Sequence, residues 1–326
     1  MLHTFTVRDI NLLNLNPDQA IYLHHKTVLT LGRGVVKRDA LLAPFAAFTG
    51  TFTFVADAPG DGHPLIVQAA HQSDSLSANL IYLGPRSAVN SQLNELIEKI
   101  LKAVGERGAQ SLIAEVEENT PVFSALRQAG FSIYARQRIW RVDTLRSSSA
   151  AQSSWKPILG RDELAMQLLR NGLLPGQVQQ IETSGENHTD GYACYREDHL
   201  LAYTEVHRGR HGIWVQPFVH LDAEPFNEIF AGLLSRLRPR SGRPVYVCLR
   251  SYQDWLESSL NELGAEPGPR QAVMARRTVI PLKVEDARRV PAGERRPEPT
   301  TPIHAPMIER RREPEWMTYD QTPNYR

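Results

Sequence analysis

Two histidines four apart, His207 and His211 in TEVHRGRHGIW, have the spacing that would place two imidazoles on one helical face for zinc. Gly209 and Gly212 instead make this stretch a hairpin turn, and no third ligand is adjacent, so no metal site is expected. Arg208 and Arg210 in the same turn could contact a phosphate, but read first as solvated turn residues. The run His24-His25-Lys26 is expected toward the end of a first helix, where cations complement the negative pole of the dipole. Glu115 and Glu117 alternate in SLIAEVEE, the pattern of the wet face of a half-exposed strand. Cys194 (GYACY) and Cys248 (VYVCL) lie in apolar runs and are expected to be buried free thiols. Trp140, Trp155, Trp214 and Trp255 fit a core or an interface better than a ligand shelf. None of these residues is assigned a catalytic role.

The elements that position them are bounded by composition. The 326 residues are enough for two ordinary domains. Thirty-seven Lys and Arg against 36 Asp and Glu leave no bulk field that would attract nucleic acid or an anionic membrane. The N-terminus MLHTFTVRDINLL lacks the pattern of a signal peptide, and no window holds 18 uninterrupted apolar residues. A soluble, cytoplasmic protein is expected. Two composition breaks divide the chain. The first, RSSSAAQSS, reads as a linker over 147–154. In the second, over 285–326, Pro, Arg and Glu displace apolar periodicity, so burial cannot offset the ordering entropy and disorder is expected. Trp316, Tyr319 and Tyr325 near its end resemble a short motif for docking on a partner protein.

The two segments 1–146 and 155–284 show one order of elements. HTFTVRDI reads as an opening strand, 17–30 as a helix, and TGTFTFVADA, PLIVQAAHQ and ANLIYLGP as strands. Apolar residues at 89, 93, 96, 97, 100, 101 and 104 place a helix over 87–104. SLIAEVEE is a strand, 120–129 a helix ended by Gly130, and FSIYARQRIWRV a closing strand. The second segment runs WKPIL, a broken helix over 161–181, and strands DGYACYRED, LLAYTEVHR and GIWVQPFV. A helix over 225–237, strand RPVYVCLR, a helix over 254–263 and strand QAVMARRTVIPLKV complete it. Interspersed helices and strands place the chain in the α/β class, with a mixed sheet.

The segment NTPVFSALRQAGF, with Asn119 as helix cap and a closing Gly-Phe, resembles the end of the GNAT acetyltransferase superfamily's domain. SLIAEVEEN matches the strand that splays to admit the pantetheine arm of acyl-CoA. ANLIYLGPR and the helix after it match the strand-loop-helix that grips the pyrophosphate. The second segment follows the same order more loosely. The resemblance implies two tandem acyl-CoA N-acyltransferase-like domains, acetyl-CoA or another acyl-CoA as cofactor, and a small-molecule or peptide amine as acceptor. Mapped onto this chain, it assigns cofactor binding to Leu83, Gly84, Arg86, Ser87 and Asn119.

The chain departs from that pattern at its chemistry. Neither PRSAVNSQL nor PFVHLDAEP carries the glycines that expose backbone N–H groups to a diphosphate, and Pro225 removes a donor. Leu126 and Leu260 stand where many members have a Tyr that protonates the departing thiolate. Glu115 and Glu117 are placed where a general base would sit. Two functions follow: acyl transfer to an amine, or a catalytically inactive binding or scaffold protein that kept the fold without the cofactor site.

Overall fold

Short-range pattern accounts for most elements of the computed structural model, which describes residues 2–13, 17–57, 63–89, 92–144, 155–182, 190–239 and 242–278. The expected linker and tail, with Trp316, Tyr319 and Tyr325, lie outside them. The first half opens with β1 (Leu2–Thr4), β2 (Ile21–Tyr22), α1 (His25–Leu31), α2 (Gly34–Leu41) and α3 (Ala46–Thr49). It continues with β3 (Thr51–Ala56), β4 (Leu65–His71), β5 (Ser77–Gly84), α4 (Gln92–Gly105), β6 (Ser111–Glu117), α5 (Pro121–Gln128) and β7 (Ser132–Val142). The second half contains β8 (Trp155–Pro157), α6 (Glu163–Leu173), α7 (Gly176–Ile181), β9 (Gly191–Arg196), β10 (His199–Arg208) and β11 (Ile213–Val219). Then come α8 (Phe226–Leu237), β12 (Val245–Arg250), α9 (Glu257–Glu262) and β13 (Glu266–Arg277).

The α/β class and mixed sheet expected from the sequence are observed. Two details of the N-terminal segment differ. The opening strand ends at Thr4 because Asp9 accepts the Thr6 N–H at 2.8 Å and starts a 3-10 turn. Residues 17–30 are not one helix. Ile21 and Leu23 are buried while Tyr22 is only half-buried, a two-residue alternation that pairs Ile21–Tyr22 with β5. Helix α1 therefore begins at His25, and His24-His25-Lys26 sits at its N-terminal end, not its C-terminal end.

All strands on the main path join in one sheet, in the order β1-β3-β4-β5-β6-β13-β7-β12-β11-β10-β9-β8. Each half contributes an antiparallel series ending in a parallel pair, β5 with β6 and β11 with β12. The closing strands are exchanged. β13, from the end of the second half, lies between β6 and β7, while β7, from the first half, lies between β13 and β12. Helices α4 and α5 cover one face of the first half through Leu93, Leu96, Ile100, Val122 and Leu126. In the second half, α8 and α9 do the same through Phe230, Leu233, Leu234 and Leu260. On the opposite face, α6 and α7 pack Met166, Leu169 and Val178 against Tyr134 and Val273 of the exchanged strands and Ile113 of β6. Among the described residues, no helix is long and apolar enough to cross a membrane.

Candidate functional site

The resemblance to acetyltransferases implies a slot in each half where two parallel central strands part. Both slots exist here. β5 and β6 pair only at Ser77–Ser111, Ala78–Leu112 and Asn79–Ile113, and then diverge. The register of β4 against β5 shifts between Leu80 and Tyr82, leaving Ile81 as an extra, bulged residue. The vacancy is taken by this chain's own backbone. The Leu23 N–H donates to the Ile81 carbonyl at 2.9 Å, and the Leu23 carbonyl accepts the Glu115 N–H at 2.8 Å. Ile21 and Tyr22 extend this pairing to Leu83 and Tyr82.

The residues assigned to the cofactor are engaged in the same way. Leu83 is fully buried. Gly84 is pressed against its neighbours: a Cβ there would lie 2.5 Å from the Tyr82 hydroxyl oxygen and 3.3 Å from the Gln19 carbonyl oxygen. The Ser87 N–H donates to Gln19 Oε1 at 3.2 Å, so a side chain holds a donor the diphosphate would need. Arg86 lines a cavity of about 280 Å³ together with Arg33, His25, Glu117 and Thr120. Asn119 does not cap α5; it turns the chain at φ 63°, and the cap is Thr120, whose hydroxyl accepts the Phe123 N–H at 3.2 Å. A short polar side chain tolerates that left-handed turn, which puts Thr120 at the helix start.

In the second half β11 and β12 pair at Ile213–Val245, Trp214–Tyr246 and Val215–Val247 before parting. Gln253, only 1 % exposed, fills this slot. With its carboxamide oriented as the neighbours require, it donates to the Pro217 carbonyl and accepts the Val219 N–H, each at 3.0 Å. In both slots main-chain groups at the parted strand edges are thus paired within the chain. Leu126 and Leu260, at the positions where a thiolate-protonating Tyr is common, are fully buried packing residues.

A polar chain crosses the centre of the sheet. The Glu115 carboxylate accepts both the His25 main-chain N–H at 2.7 Å and the His25 Nδ1 at 2.9 Å. Glu115 is therefore not on a wet face: it is 6 % exposed, whereas Glu117 two residues on is exposed as expected. The β13–β6 pairing and α1 together cover it. Burial by itself raises the Glu115 pKa, but hydrogen bonds from His25 and the charges of His25 and His24 outweigh it and bring the value down to about 2. So strongly stabilised a carboxylate is a weak base. From His25 the chain continues: Gln271 Nε2 lies 3.0 Å from His25 Nε2, Gln137 Nε2 donates to Gln271 Oε1 at 3.0 Å, and the Cys248 thiol to Gln137 Oε1 at 3.4 Å. In the neutral tautomer with the His25 proton on Nδ1 and Nε2 accepting, every donor points toward Glu115. Burial pushes the Cys248 thiol up to about 12, so it is neither thiolate nor nucleophile at neutral pH. Cys194 is likewise buried and in no disulfide.

Beside this chain lies a cavity of about 140 Å³ whose wall includes Lys26, Arg170, Glu182, Trp214, Phe218 and Arg250. Glu182 pairs with Arg250 and accepts the Tyr134 hydroxyl at 2.8 Å. Arg170 donates to the Glu182 carbonyl at 2.8 Å and lies 5.7 Å over the Phe218 ring. Sequence reading passed over Arg250 and the glutamines. The available signal was polar residues bordering or interrupting apolar strand runs, as Arg250 does in VYVCLR. His207 and His211 flank the β10–β11 turn, and no group of three or more metal-ligating side chains occurs among the described residues.

No family model and no curated protein matches this chain. Solved structures are similar to it at low identity and with TM-scores below 0.5. A GCN5-related N-acetyltransferase from Sphaerobacter thermophilus is 12 % identical, with TM-score 0.47, over 81 % of this chain and 97 % of its own. A tandem GNAT protein from the clavulanic acid biosynthesis pathway is 14 % identical, with TM-score 0.43, over 70 % and 83 %. A further structure, described as a putative acetyltransferase, from Pyrococcus horikoshii is 9 % identical, with TM-score 0.47, over 86 % and 90 %. These likenesses concern the arrangement of elements alone.

Proposed function

We propose that this protein is a binding protein on a duplicated acetyltransferase-like frame, with its ligand site in the central polar cavity and no acyl-CoA site in either slot. The observation that carries this reading is the internal closure of both slots, by the Leu23 main chain in one half and the Gln253 carboxamide in the other. The weakly basic Glu115 and the protonated thiol of Cys248 agree with it. Isothermal titration of the full chain with acetyl-CoA to millimolar concentration is expected to give no heat of binding. A saturable heat would overturn the proposal.

The second reading, acyl transfer to an amine, draws on the cavity of about 280 Å³ that Arg33 and Arg86 share. Two guanidinium groups there could hold a diphosphate if residues 20–23 moved aside. That reading requires acetyl-CoA binding that Arg86→Glu abolishes.

A further inference from the structure

We infer that the central cavity binds a small carboxylate, held by Arg250 at its wall and by Lys26. This rests on the reading of the cavity as the ligand site, and it adds the class of ligand and the residues that recognise it. Arg250 is 7 % exposed and reaches the cavity from the end of β12. Its Nη2 is engaged by Glu182. Its Nε and Nη1 are buried with no hydrogen-bond partner among the described residues. A guanidinium cannot lose its proton to relieve that deficit, so its donors call for an acceptor. Water can fill the role in part; a planar oxyanion matches the guanidinium fork in shape and charge.

The charge around the cavity points the same way. Of the three carboxylates on its wall, Glu115 is engaged twice by His25, Glu182 by Arg250 and Tyr134, and Glu205 by Arg170 at 3.8 Å. Arg170 already donates to the Glu182 carbonyl. The half-buried Lys26 at the start of α1 adds an ammonium to the same wall. Each wall carboxylate thus has a cationic or hydrogen-bonding partner, whereas two Arg250 donors have none among the described residues, and an anion is the acceptor that best matches them. The volume, about 140 Å³, is on the order of five liquid water volumes, which limits the guest to a few carbons. Trp214 and Phe218 offer apolar wall for them.

The test uses the full chain, with thermal melting and isothermal titration at constant ionic strength. The probes are acetate, succinate, L-glutamate and inorganic phosphate. At least one carboxylate is expected to raise the melting temperature saturably, and phosphate to do so less. Lys26→Gln should weaken that carboxylate by about tenfold, the loss of one charge-assisted contact. Arg250→Gln should remove the effect, and Arg210→Gln, which lines a different cavity, should leave it unchanged. If Arg250→Gln fails to fold, Lys26→Gln decides. No saturable carboxylate effect, an effect of phosphate alone, or a carboxylate effect unaltered by Lys26→Gln and any folded Arg250→Gln would each overturn the assignment. Acetyl-CoA plays no part here, so this inference and the closure of the slots can fail separately.

Discussion

At the scale of single residues, Glu115 concentrates the largest electrostatic consequence. Its folded pKa of about 2 lies below the ordinary 4.5, so it contributes stability above pH 4.5 that is lost as pH falls toward 2. A shift of that size corresponds to about 3 kcal/mol. Urea unfolding between pH 6 and 2.5 should show this loss. Glu115→Gln should flatten the acid limb and cost about 2 kcal/mol at neutral pH, because His25 keeps only a neutral acceptor. Gln253→Leu should cost about as much, since the Pro217 carbonyl and the Val219 N–H would lose their partner inside the slot. The sequence concealed both roles. Glu115 sits in an alternating strand whose polar positions read as wet, and Gln253 in a short segment with no periodicity at all. Their partners are tens of residues away, as with Glu115 and His25, 90 positions apart.

At the scale of elements, the segment 21–23 decides the fate of the first slot. Leu23 is 1 % exposed, and its backbone bridges β5 to β6. Leu23→Ala should cost about 3 kcal/mol in urea unfolding without creating acetyl-CoA binding, because the backbone bridge survives the loss of the side chain. A similar close fit joins α1 to the β10–β11 turn. The His211 N–H donates to the Thr30 carbonyl at 2.9 Å. A Cβ on Gly209 would lie 2.1 Å from that same carbonyl oxygen. Gly209→Ala should therefore destabilise by about 2 kcal/mol or more, measured by thermal unfolding. The turn was legible from its glycines, and α4 and α5 from their apolar spacing and Gly130. The segment 17–30 departs from the expected single helix because Ile21 and Leu23 alternate over too few residues to stand out from the helical pattern around them.

At the scale of the whole molecule, the exchange of closing strands binds the halves together. β7 pairs with β12 and β13 with β6, so each half's closing strand completes the other half's sheet. Chemical denaturation followed by circular dichroism and by tryptophan fluorescence should therefore give one coincident transition. Expressed alone, residues 1–146 should not give a folded monomer, since β6 and β7 would both lack the strand between them. Two separable transitions would refute this. The chain by itself determined the α/β class, the repeated order of elements and the lack of glycine in PRSAVNSQL and PFVHLDAEP. Those follow from residue spacing and from the presence or absence of glycine over a few positions. Only the tertiary structure decided which strands are neighbours, that Leu23 and Gln253 occupy the slots, and that Arg250 faces a cavity with donors to spare. Those are contacts between distant parts of the chain, and local pattern records which residues will be buried but not which partners they will meet.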